Sequence, residues 1–76
     1  MDDFESRIRD ERIRQDIKWG EQNHRPDYWL VILGEEFGEL CNAVLEDRPR
    51  TVLHIELTHI AAVCKAIYEC SQRNNW

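Results

Sequence analysis

Apolar side chains recur at helical spacing in three stretches of this chain, separated by two short polar breaks. The first stretch, from about Asp3 to Lys18, carries a loose stripe of Phe4, Ile8, Ile13 and Ile17 among many charges. Asp2 or Asp3 can cap its start by accepting from a free backbone N–H. Lys18 places a cation near the negative end of the helix dipole. Gly20 is a natural terminator, and the segment Gly20 to Pro26 has turn formers but no periodicity, which predicts a loop. The second stretch runs from about Tyr28 to Glu46, with Asp27 as its candidate N-cap. Its stripe is Trp29, Leu33, Phe37, Leu40 and Val44, with Leu30 and Ile32 beside it.

The turn Asp47-Arg48-Pro49-Arg50 precedes the third stretch, which Thr51 is placed to cap. From Leu53 to Ile67, ten of fifteen residues are apolar or alanine, spread around most of the circumference. Such a helix is buried on more than one side, and two neighbours within one chain hardly cover it, so a subunit interface is expected. The polar tail, Ser71 to Asn75 with Trp76, reads as frayed. The expected fold is all-α: one domain over residues 1–76, a short bundle of three main helices completed by dimerisation.

Length agrees with that expectation. A chain of 76 residues buries only about 60% of the surface its unfolded form exposes, and oligomerisation is a usual remedy. Net charge is −5, so the basic field that displaces counterions from a nucleic-acid polymer is missing. A small phosphorylated ligand remains compatible if metal ions screen the two negative partners. No apolar run approaches the roughly eighteen residues of a membrane span. The acidic start, Met1-Asp2-Asp3-Phe4-Glu5, lacks the order of a signal peptide, and a cytoplasmic location is expected. Cys41, Cys64 and Cys70 are odd in number and without CxxC spacing, which suits small buried thiols better than a disulfide or thiolate site.

The candidate chemistry lies in acids set within apolar runs. Glu35, Glu36 and Glu39 fall inside five residues of the second stretch, and Glu56 falls inside the third. Residues three apart on a helix are about 60° and 4.5 Å apart, so Glu36 and Glu39 can converge, as can Glu56 and His59. Glu56 shares its face with Val52, Ile55, His59 and Val63, which points it inward. Two such pairs facing each other across an antiparallel seam resemble the carboxylate metal sites of helical bundles. Oxygen ligands select hard cations such as Mg²⁺ or Mn²⁺. The plainer alternatives are a solvated acidic face, pairing of Glu56 with Arg7, Arg12 or Arg14, and an interior histidine at His59.

Glu35-Glu36-Phe37-Gly38-Glu39 followed by Glu56-Leu57-Thr58-His59 resembles the EExxE…ExxD signature of MazG-like nucleoside triphosphate pyrophosphohydrolases. The run from Glu11 through Lys18-Trp19-Gly20-Glu21-Gln22-Asn23-His24 is similar to the small MazG-like proteins common in bacteria and phages. So are Trp29-Leu30 with Ile32-Leu33, and Ala61-Ala62-Val63. The resemblance covers roughly residues 11 to 67. It implies an all-α fold that forms dimers or pairs of dimers and holds Mg²⁺ against a nucleoside triphosphate. Water then attacks at the α–β linkage, releasing nucleoside monophosphate and pyrophosphate. By position, Glu36, Glu39, Glu56 and His59 match the family's metal ligands. Glu35 matches a residue that orients water, acts as base or binds a further ion.

Two departures stand out. His59 occupies a position where the longer motif has Asp; the neutral imidazole is a softer ligand with one negative charge fewer, which should weaken Mg²⁺ and favour Mn²⁺. The chain also lacks a clear fourth helix. Around the acids, Arg14 and Lys18 are candidates for phosphate contacts, Trp19 for stacking on a base, and Gln22, Asn23 and His24 for hydrogen bonds to base or sugar. Their plainer roles are salt bridges for the two cations, a core anchor for Trp19 and loop-holding for Asn23 and His24. Besides hydrolysis, the pattern allows a module that sequesters a nucleotide uncleaved, or a helical dimer serving as an adaptor.

Overall fold

In the computed structural model, which describes residues 3–76, the three stretches form α1 (Phe4–Trp19), α2 (Pro26–Leu45) and α3 (Arg50–Asn74), with no strand among the described residues. Asp3 starts α1, its Oδ1 accepting from the Ser6 amide at 2.7 Å; Asp2 lies outside the described residues. Gly20 ends it at φ 73°, and its N–H donates to the Asp16 carbonyl at 2.9 Å.

Three boundaries differ from the expected ones. α2 begins at Pro26, whose ring presets the first helical φ, with Arg25 in the cap position. Asp27 is therefore not the N-cap but a first-turn acid, accepting from the Tyr28 amide at 2.9 Å. α3 likewise starts after Pro49, so Thr51 lies within the helix and no side chain caps it. The tail is not frayed: α3 continues to Asn74 and closes on Asn75 in the left-handed conformation (φ 64°), whose N–H donates to Ser71 O. Polar composition hid this because its side chains bond across to a loop rather than burying apolar surface.

α3 is the central element. α1 and α2 each pack along it, and their backbones do not approach each other. Thr58, Ala62, Ala66 and Cys70 recur every fourth residue on α3 and are all buried, a stripe slim enough for close approach. Thr58 stays satisfied by donating to His54 O at 2.8 Å. Trp29 of α2, 2% exposed, packs with Val63, Ala66 and Cys70, with Ile32, Leu33 and Ile67 around it. Burying a large side chain of this kind contributes about 1.5–3 kcal/mol.

The stripes expected for α1 and α2 are only partly the buried ones. Phe37 and Val44 stay 58% and 56% exposed. Taking Trp29 as zero, they lie roughly 60–80° round the helix, in an apolar arc with Leu30 that the single chain leaves uncovered. On α1 no residue is buried. Its inward positions are Ile8, Glu11, Arg12 and Gln15, while Phe4, Ile13 and Ile17 face out. Arg12 ties α1 to α3 through Glu69 Oε1, at 3.3 Å from Nε and 3.0 Å from Nη2. Among the described residues, no helix is long and apolar enough to cross a membrane.

Candidate metal centre

Glu36 lies only about 20° from Trp29 on the α2 wheel, so the turn that buries the indole also turns this carboxylate inward. On α3, His59 and Glu56 share the arc of Val63 and Cys70. The two faces meet, and one ligand atom from each of Glu36, Glu39, Glu56 and His59 lies within 4.8 Å of the other three. His59 Nδ1 is 3.6 Å from Glu36 Oε2 and 3.8 Å from Glu56 Oε2. Both of those oxygens are shut off from solvent and accept no hydrogen bond. A buried acceptor left without a donor costs about 1–3 kcal/mol, more when charged.

Electrostatics register the same crowding. Burial pushes the Glu36 carboxyl up, and Glu39, Glu56 and Glu11 add to the shift while His59 opposes it. Burial also raises Glu56, with Glu39 beside it acting in the same direction and His59 against. Two of the expected arginine partners are engaged elsewhere: Arg12 is taken by Asp16 and Glu69, and Arg14 by Glu11.

The donor set fits a divalent cation. Opposite ligands of Mg²⁺ stand about 4.2 Å apart and those of Ca²⁺ about 4.6–5.2 Å. Adjacent ligands of Mg²⁺ stand only about 3 Å apart, so atoms within 4.8 Å of one another need the side chains to draw inward to grip the smaller ion. Three carboxylates and one imidazole suit a hard to borderline ion such as Mg²⁺ or Mn²⁺. Glu35 is not part of the cluster. It points about 120° from Trp29 and is exposed, but it lines the adjoining groove.

That groove, about 480 Å³, separates α1 from α2 and has His59 and Val63 of α3 on its floor. Its size is in the range of small-molecule sites. Arg14, Lys18, Trp19, Gln22 and His24 all line it, with Glu35, Glu36 and Glu39 opposite. Their individual settings differ from the expected ones in part. Trp19 is no core anchor, being 59% exposed, with Lys18 Nζ over its ring at 4.8 Å. Arg14 holds Glu11 by two bonds of 2.8 and 2.6 Å. His24 meets Tyr28 in a tilted arrangement and Trp29 edge-to-face, at ring separations of 4.7 and 4.9 Å. Its buried Nε2 lacks a partner, as does Trp29 Nε1.

Asn23 does not line the groove but holds the loop. Its Oδ1 accepts from Arg73 Nε at 3.1 Å and Asn74 Nδ2 at 2.9 Å, while Arg73 Nη2 donates to Gln22 O at 2.9 Å. Buried Cys70 faces His24 O at 3.6 Å from the same side. Cys64, by contrast, is exposed, and Cys41 half-buried.

Sequence reasoning missed Glu11. Its side chain is only 10% exposed, with Oε2 4.0 Å from His59 Nε2. The one available signal was its place with Ile8 and Gln15 on a single helical face. Searches of protein-family models, curated proteins and solved structures gave no match to this chain.

Proposed function

We propose that this protein is a metal-dependent nucleoside triphosphate pyrophosphohydrolase of MazG-like type, cleaving (d)NTP to (d)NMP and pyrophosphate. One observation carries the reading: buried, unpartnered oxygens of Glu36 and Glu56 converge with Glu39 and His59 at cation-binding distance beneath an open groove. The resemblance of Glu35–Glu39 and Glu56–His59 to the family signature supplies the reaction. Glu36, Glu39, Glu56 and His59 would hold Mg²⁺ or Mn²⁺. The bound ion would neutralise phosphate oxygens and lower the pKa of a coordinated water. Glu35, exposed on the groove wall, would orient water or take its proton. Lys18 and Arg14 supply positive charge on the opposite wall, and Trp19, with its indole exposed there, offers a stacking face. Uncovered apolar side chains on α2 (Leu30, Phe37, Val44) and α1 (Ile13, Ile17) support a homodimer or dimer of dimers.

The test is incubation of the protein with a panel of nucleoside triphosphates and Mg²⁺ or Mn²⁺. Monophosphate and pyrophosphate should appear together, and Glu36→Gln and Glu56→Gln should each lose that activity while retaining helical content. Folded protein that releases neither product from any nucleotide counts against hydrolysis. His59, weaker for Mg²⁺ than a carboxylate, favours a second reading in which the groove binds a nucleotide without cleaving it. Calorimetry followed by recovery of unchanged ligand would identify that case.

A further inference from the structure

His59 differs from the other cluster residues in one respect: its use as a ligand depends on which ring nitrogen carries the proton. Nδ1 faces the α2–α3 carboxylates, 3.6 Å from Glu36 Oε2 and 3.8 Å from Glu56 Oε2. Nε2 faces the other way, toward α1, and meets Glu11 Oε2 at 4.0 Å. Glu11 is itself fixed. Arg14 grips both of its oxygens, and Gln15 Nε2 donates to Oε2 at 3.2 Å. Were Glu11 merely the partner of a surface arginine, it would share that arginine's exposure. Instead its side chain is 10% exposed against 56% for Arg14.

We propose that Glu11 is a positioning residue: it accepts a hydrogen bond from the Nε2–H of His59, which keeps the proton on Nε2 and leaves the Nδ1 lone pair for the cation. This rests on the metal-centre reading above. A separation of 4.0 Å is longer than a hydrogen bond, so the bond forms by an approach of about 1 Å or through one bridging water. Metal-bound histidines generally donate their second N–H to a carboxylate, carbonyl or water, and loss of that partner weakens metal binding by about 10–100-fold. The arrangement also gives α1, which supplies no ligand, a part in holding the ion.

The experiment uses the full chain with ¹⁵N-labelled histidine, as wild type and Glu11→Gln, at about pH 8.5, some two units above the ordinary imidazole pKa. Long-range ¹H–¹⁵N spectra report the His59 tautomer with and without Mg²⁺, and calorimetry reports the Mn²⁺ affinity. The expected wild-type result is an Nε2–H tautomer whose Nδ1 resonance moves on adding Mg²⁺. Glu11→Gln should mix the tautomers and raise the Mn²⁺ Kd about 10-fold or more. An Nδ1–H tautomer in the wild-type protein overturns the proposal without reference to any variant. Unchanged tautomer and affinity in Glu11→Gln overturn it while leaving the metal centre intact. No Mg²⁺ response at His59 and no Mn²⁺ heat in wild type would instead sink the metal reading, and this proposal with it.

Discussion

α1 and α2 are opposite walls of one groove, yet they are attached to α3 by different physics. α2 is held by apolar burial, with Trp29, Ile32 and Leu33 packed on Val63, Ala66 and Cys70. α1 buries no residue fully and is held by the Arg12–Glu69 pair and the approach of Glu11 to His59. Apolar burial is insensitive to salt and ions, whereas partly exposed charge pairs are screened and individually weak. The α2–α3 half should therefore behave as a rigid base carrying the ligands. α1 should be the part whose stability depends on ionic strength and on what occupies the groove.

Breaking the apolar side gives the largest effect. Trp29→Ala should remove about 3–5 kcal/mol, a large share of the stability of a small domain. Circular dichroism in denaturant should show it mostly unfolded or close to it. Retention of a full cooperative transition would mean that α2 is not anchored where described.

The ligand cluster comes next. Because burial raises the Glu36 and Glu56 carboxyls above their ordinary value of 4.5, the folded state holds those protons more tightly than the unfolded chain. Their contribution to metal-free stability must then fall as pH rises from about 4.5 through the raised values. Glu11, lowered chiefly by its bond to Arg14, works oppositely: its stabilisation is present above 4.5 and is lost as pH falls through its lowered value. Melting curves across pH, with and without Mn²⁺, should show the upward loss removed by the ion. Glu36→Gln should raise the metal-free melting temperature by a few degrees, at about 4–8 °C per kcal/mol relieved, and should abolish the Mn²⁺-induced rise.

Smaller effects sharpen the contrast between the walls. Arg12→Ala should lower global stability by only about 1 kcal/mol but speed amide exchange along α1 selectively, α2 remaining protected. Equal acceleration in both helices would refute the division. Arg73→Ala, which removes the bonds to Gln22 O and Asn23 Oδ1, should change stability by less than about 0.5 kcal/mol. Its exchange signature should be confined to residues 21–24.

Much of this was legible in the residues themselves. Three helices follow from periodicity, and the cluster follows from acids spaced three apart inside apolar runs, where a solvated carboxylate has no reason to be. Glu11 escaped because it sits in a run dense with charge, Arg9 to Asp16, where one inward acid resembles its neighbours. The apolar residues of α1 misled in the reverse way: of the loose stripe Phe4, Ile8, Ile13 and Ile17 only Ile8 turns inward, and the rest of the face used is polar because its partners on α3, Glu69 and His59, are polar. The C-terminal turns of α3 carried no apolar signal, since their contacts with Gln22 and Asn23 are hydrogen bonds between polar groups.

The loop from Gly20 to Arg25 joins the two walls at one end and is itself fastened to the last turns of α3. Away from that loop, the groove lining runs to Glu11 on α1 and Glu39 on α2. An elongated guest would therefore have its surplus length emerge past Glu11 and Glu39, and tolerance for bulky tails on a ligand should be set there rather than at the stapled end.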